Sequence, residues 1–100
     1  MAQLTIISWR DIPAQIVVKR GRKSAKVQLS QRFHEAIDRA AMRAGKGSSD
    51  QYLADWQRSA PVDCGDDLDA QAGAEAERIE ARYSDELLES MVKNKGLATS

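Results

Sequence analysis

Cys64 and His34 are the sole cysteine and the sole histidine of the chain. Nucleophilic, redox or metal chemistry would have to be built around one of each. Cys64 stands in Asp63-Cys64-Gly65-Asp66-Asp67. That cluster lacks the alternating oxygen ligands and distant Glu of a calcium loop. No second Cys or His stands at zinc spacing. It reads as a flexible linker ending in a helix cap, with a thiol that oxidises if exposed. His34 follows Phe33 on the first turn of a predicted helix, with no Ser, Cys or carboxylate at motif spacing. It reads as an exposed polar helix residue. Glycine-rich phosphate loops, nucleophile elbows and HExxH patterns are missing from the sequence. We therefore expect no catalytic residue, no metal site and no cofactor, and rank an enzyme built on Cys64 last.

Two stretches point to binding. Lys19, Arg20, Arg22 and Lys23, with Lys26 just beyond, form a compact basic loop around Gly21. Such a cluster can hold phosphates or carboxylates through charge-assisted hydrogen bonds. The plainer reading is an edge kept soluble by charge. Trp9-Arg10-Asp11 is the second stretch, since Trp and Arg are frequent at binding hot spots. Its plainer reading is a core-capping Trp9 beside a local Arg10–Asp11 ion pair. The candidate partner-binding residues are thus Trp9, Arg10, Asp11, Arg20, Arg22, Lys23 and Lys26.

One hundred residues with no net charge make one domain, or a small domain with an appendage. The charge is unevenly spread. Residues 1–60 hold eleven Lys/Arg and five Asp/Glu, a balance of +6, and residues 61–100 hold four and ten, a balance of −6. A single cysteine excludes an intrachain disulfide and fits a reducing compartment. No leader pattern stands at the start. The apolar runs are far shorter than the ~20 residues of a membrane helix. A cytoplasmic protein without membrane contact is the expectation.

These residues need elements to position them. Leu4–Trp9 is β-branched and alternating, a strand. Arg10-Asp11-Ile12-Pro13 reads as a turn. Ala14–Lys19 is a second strand, with Ile16 and Val18 on one face and Val17 on the other. Arg20–Ser24 reads as a hairpin loop of four to five residues. Ala25, Val27 and Leu29 alternate with Lys26 and Gln28 in a third strand. Ser30 is a candidate N-cap accepting from a first-turn amide. Phe33, Ile37, Ala40, Ala41 and Ala44 then form a helical stripe, ended by Gly45 and Gly47. Ser48 with Gln51 is a capping-box pattern for a short helix reaching about Arg58. Leu53 and Trp56 should face inward there, and Pro61 should close it. Phe33, Ile37 and Trp56 should meet Val18 and Val27. Val62–Asp67 reads as a linker. Asp66 or Asp67 caps a helix from Leu68 to Tyr83, and Ser84 starts a last helix stopped by Gly96. Leu97–Ser100 should fray.

The ordered segments WRDIPAQ (9–15), KRGRKSAK (19–26), RFHEAIDRAAMRAG (32–45) and YLADW (52–56) resemble a family of small bacterial proteins, the virulence factor family. The resemblance runs from about Gln3 to about Tyr83. It implies a domain and supplies no catalytic residues to carry over to this chain. The resemblance implies a place near genes of folate- and corrinoid-linked methyl transfer, which would suit an accessory subunit.

The expected fold is α+β: a three-stranded antiparallel sheet covered by helices, followed by a C-terminal acidic helical pair. Residues 1–61 would be the core domain, and 62–100 an acidic extension packed on or tethered to it. The extension would complete the core through Ile79, Tyr83, Leu87 and Met91, screen the basic loop, or do both. The expected function is a non-enzymatic protein-binding or accessory module, with a one-carbon-metabolism enzyme as a possible partner. The alternative, ranked lower, is a polyanion or nucleic-acid binder using the basic loop.

Overall fold

The computed structural model describes residues 2–45 and 49–98. Strand β1 (Ala2–Trp9) pairs antiparallel with β2 (Ile12–Arg20), and β2 with β3 (Lys23–Gln28). Helices α1 (Gln31–Arg43) and α2 (Ser49–Ala54) follow, then the short strands β4 (Trp56–Arg58) and β5 (Val62–Cys64). Helices α3 (Leu68–Arg82) and α4 (Asp85–Lys93) complete the chain. The fold is α+β with an antiparallel sheet, but among the described residues the sheet has five strands rather than three.

The extra strands close the outer edge of β1. β4 pairs with Ile7–Trp9 and β5 with Ala2–Leu4. Ser59 bridges the gap: its N–H donates to the Ile6 carbonyl, and its hydroxyl accepts from the Ile6 N–H, each at 2.9 Å. Pro61 has no N–H to offer a ladder, so the segment 56–64 pairs in two short pieces. The predicted helix to Arg58 therefore stops at Ala54, and the predicted linker after Pro61 is partly strand. Leu53, expected inside, is 62% exposed.

The helices pack on one face of the sheet. That face carries Ala2, Leu4 and Ile6 of β1, Ile16 and Val18 of β2, and Ala25 and Val27 of β3. Phe33, Ile37 and Ala40 from α1 meet it, with Ala72, Ala76 and Ile79 from α3. Phe33, Ile37 and Val18 are fully buried, whereas Trp56 and Val27 lie at the half-buried margin. The alanines let α3 lie close against β2 and β3, so its apolar stripe can be thin. Leu88, Met91 and Val92 of α4 are buried in the same core, which thus draws residues from both sides of Pro61. Tyr83 packs edge-to-face on Phe33 at 5.7 Å.

Helix ends follow the sequence in part. Asp67 accepts from Ala70 N–H, and Ser84 accepts from Leu87 N–H. Ser30 takes the N-cap position of α1 but makes no side-chain cap bond. Its N–H and hydroxyl instead donate to Glu80 at 2.7 and 2.9 Å. Arg32 donates to the same carboxylate and to the Glu80 carbonyl. The end of α3 thereby fastens the start of α1. Ser48 and Gly47, and with them the expected capping box, lie outside the described residues.

Candidate partner-binding site

The two predicted binding stretches lie at opposite ends of β2. Nine residues separate Arg10–Asp11 from Gly21, roughly 30 Å at about 3.3 Å per residue. They do not form one site.

In the Trp9-Arg10-Asp11 corner Trp9 is turned inward, Arg10 is half-buried and Asp11 is exposed. Trp9 is fully buried, and its indole N–H donates to the Tyr52 carbonyl at 2.9 Å. Its ring stacks on Tyr52 at 6.0 Å and lies under the Arg10 guanidinium. Burial, together with the Asp38 charge, pushes the Tyr52 phenol above its ordinary value. Arg10 sits at positive φ between β1 and β2. It pairs with Asp55 at 3.3 Å and donates to the Lys95 carbonyl at 2.8 Å. Asp11 receives the Ala98 N–H, and its own N–H donates to the Gly96 carbonyl. Residues 97–98, expected to fray, are therefore held. Gly96 is the residue that sequence reasoning undervalued. A Cβ there would stand 2.6 Å from Trp9 Cζ3. Its N–H donates to the Met91 carbonyl and Lys95 N–H to Val92, a Schellman close with Lys95 at positive φ. This corner clasps the C-terminus.

The basic loop is tighter than expected. Arg20 pairs with Lys23, leaving Gly21 and Arg22 as a two-residue turn. Gly21 supplies the positive φ, +60°, that such hairpins require. Lys19, Arg20, Arg22, Lys23 and Lys26 are exposed, and among the described residues their side chains have no ion-pair or hydrogen-bond partner.

The acidic arm turns elsewhere. Arg39 donates to both oxygens of Glu89 at 2.7 and 2.9 Å, and Arg32 to Asp85 at 3.1 Å. The hydrogen bonds from Arg39 hold the Glu89 carboxyl below its ordinary value. Burial pushes Glu80 upward, but hydrogen bonds from Ser30 and Arg32 outweigh it and hold that carboxyl low. These ion pairs of α3 and α4 run to α1, not to the basic loop.

Beside the hairpin lies the sheet face opposite Ile16 and Val18, on which Val17 is nonetheless buried. Strand pairing sets Thr5, Val17 and Lys26 in one row across it, and Ile7, Gln15 and Gln28 in another. Lys19 stands between Gln3 on β1 and Ser24 on β3, and Arg58 stands opposite Ile7. Alternation already placed Lys26 and Gln28 together, and the tighter turn adds Ser24, which was expected in the loop. Arg58 could not be anticipated, because β4 brings it there.

His34 is half-buried rather than exposed, and its Nε2 is enclosed without a hydrogen-bond partner among the described residues. Cys64 is half-buried in β5. It lines a groove of about 480 Å³ between α3 and the sheet, floored by Leu4 and Ile6 and rimmed by Glu75 and Arg78. Among the described residues, no group of three or more His, Cys, Asp or Glu is placed to hold a metal ion. No described helix is long and apolar enough to cross a membrane.

No curated protein and no solved structure shows significant similarity to the chain. A family model described as "Virulence factor" matches residues 7–92. That span runs from the closed end of β1 through the helices that cover the sheet to Val92 in α4, so the chain belongs to the virulence factor family.

Proposed function

We propose that the chain is a non-enzymatic binding module for another protein, acting as an accessory subunit. One observation carries the reading: five cations, unpaired among the described residues, gather on the β2–β3 hairpin, while Glu80, Asp85 and Glu89 of the acidic segment are engaged with α1. Cations left unpaired at a hairpin suit an acidic partner surface, which would gain charge complementarity and a fast encounter there. A nucleic acid would find the same cations. Single strands, however, are commonly held by stacking on exposed aromatic rings, and the aromatic residues Trp9, Phe33, Tyr52, Trp56 and Tyr83 all pack at the core. This favours protein over nucleic acid. The family's association with methyl transfer makes a one-carbon enzyme the first partner to try.

The test is affinity capture from source cells, with and without nuclease, using wild-type chain and a Lys19→Glu, Lys23→Glu, Lys26→Glu variant. The expected result is one stoichiometric protein, captured despite nuclease and lost on charge reversal. Capture that nuclease abolishes would favour the polyanion reading. Capture indifferent to charge reversal would show that the hairpin is not the contact.

A further inference from the structure

The free edge of β3 supplies a more specific mode of binding. Leu29 N–H donates to the Ala14 carbonyl on the β2 side. Backbone directions alternate along a strand, so Ala25 and Val27 also turn their N–H and C=O groups toward β2. Ser24, Lys26 and Gln28 turn theirs away from the sheet. Among the described residues those outward groups have no hydrogen-bond partner. A row of outward donors and acceptors is a template for another strand.

Charge selects the strand. No acidic residue occurs between Asp11 and Glu35, a stretch that holds Lys19, Arg20, Arg22, Lys23, Lys26 and Arg32. Of these cations only Arg32 is paired among the described residues. A second copy of the chain would bring two lysine-bearing edges together, and like charges across a strand pair destabilise it. A strand rich in Asp or Glu meets opposite charges instead. The geometry points to strand addition: an extended acidic segment of the partner protein joins the sheet at β3, hydrogen-bonded to Ser24, Lys26 and Gln28. This rests on the protein-binding reading above and specifies its mode. A nucleic acid would use the same cations but could not continue the backbone ladder.

The experiment uses the full chain, followed by amide NMR and hydrogen exchange. The probe is an N-acetylated, C-amidated octapeptide of alternating Glu and Thr, compared with its fully N-methylated twin of equal charge. The expected result is binding that slows exchange at Ser24, Lys26 and Gln28, with affinity at least tenfold weaker for the twin. Ser24→Pro keeps every charge and removes one outward N–H at an edge position, where proline is tolerated. It should weaken the unmodified peptide at least tenfold, and the twin carries the test if that variant does not fold. Three results would overturn strand addition: no β3 response at millimolar peptide, equal affinity for the twin, or the same amides protected by an oligothymidylate of equal charge. Equal affinity for the twin, with loss of both peptides on hairpin charge reversal, would overturn strand addition while leaving an acidic protein partner in place.

Discussion

The β1 edge of the sheet is closed and the β3 edge is open. Along β1, two short strands and Ser59 occupy the outward backbone groups, and Arg10 N–H continues the line to the Asp55 carbonyl. Along β3, the outward groups of Ser24, Lys26 and Gln28 stay unpaired among the described residues. The closed edge is tied to the core through Trp9 and to the C-terminus through Arg10, Asp11 and Gly96. The open edge carries exposed lysines. Two edges of one small sheet thus serve different ends: one holds the chain together and the other is presented outward.

If that contrast is right, substitutions should be costly on the closed side and mild on the open side. Trp9→Ala removes a fully buried ring and its hydrogen bond to Tyr52. It should cost about 3–5 kcal/mol in urea unfolding, enough to unfold much of a marginal domain. Gly96→Ala puts a methyl group against Trp9 at a φ of +89°, so about 1–3 kcal/mol should be lost. Ser59→Ala takes one partner from Ile6 N–H at an exposed position, and a loss of about 0.5–1.5 kcal/mol is expected by the same measurement.

The pH dependence is smaller and comes from the helical layer. Glu80 is held below its ordinary value of 4.5. A depressed carboxylate contributes stability above its unfolded value and loses it as pH falls through the folded one. The urea midpoint should therefore drop as pH is lowered below about 4.5, and Glu80→Gln should flatten that drop. An unchanged profile would show that the Ser30–Glu80–Arg32 cluster does not link α3 to α1. Lys26→Ala on the open edge should shift stability by less than about 0.5 kcal/mol. A larger loss would mean that the β3 edge is structural.

The first three strands and the long helices were legible because their burial leaves a period in the sequence. Ile16 and Val18 alternate, and Phe33, Ile37, Ala40 and Ala41 repeat at helical spacing. The segment 56–64 left no such trace. Gln57, Arg58, Ser59, Ala60, Pro61, Val62 and Asp63 are all exposed, and an edge segment held by backbone pairing and the Ser59 hydroxyl needs no hydrophobic pattern. The basic hairpin was visible as composition. Its isolation from the acidic arm was not, because net charge by halves does not say which carboxylate meets which cation. Arg32 and Arg39, spaced along α1, take Glu80, Asp85 and Glu89, three of the ten acids that the sequence left available to the hairpin. Trp9-Arg10-Asp11 carried a binding composition, yet these residues receive the C-terminal turn, a contact across more than 80 positions. Local sequence cannot announce such a contact.

Native-state hydrogen exchange on the unliganded chain tests the contrast most directly. Ile6 N–H, held by Ser59 on the closed edge, should exchange at least about tenfold more slowly than the outward amides of Lys26 and Gln28, after correction for intrinsic rates. Equal protection at Ile6 and at the β3 edge would contradict the account, because the two edges would then be closed, or open, alike.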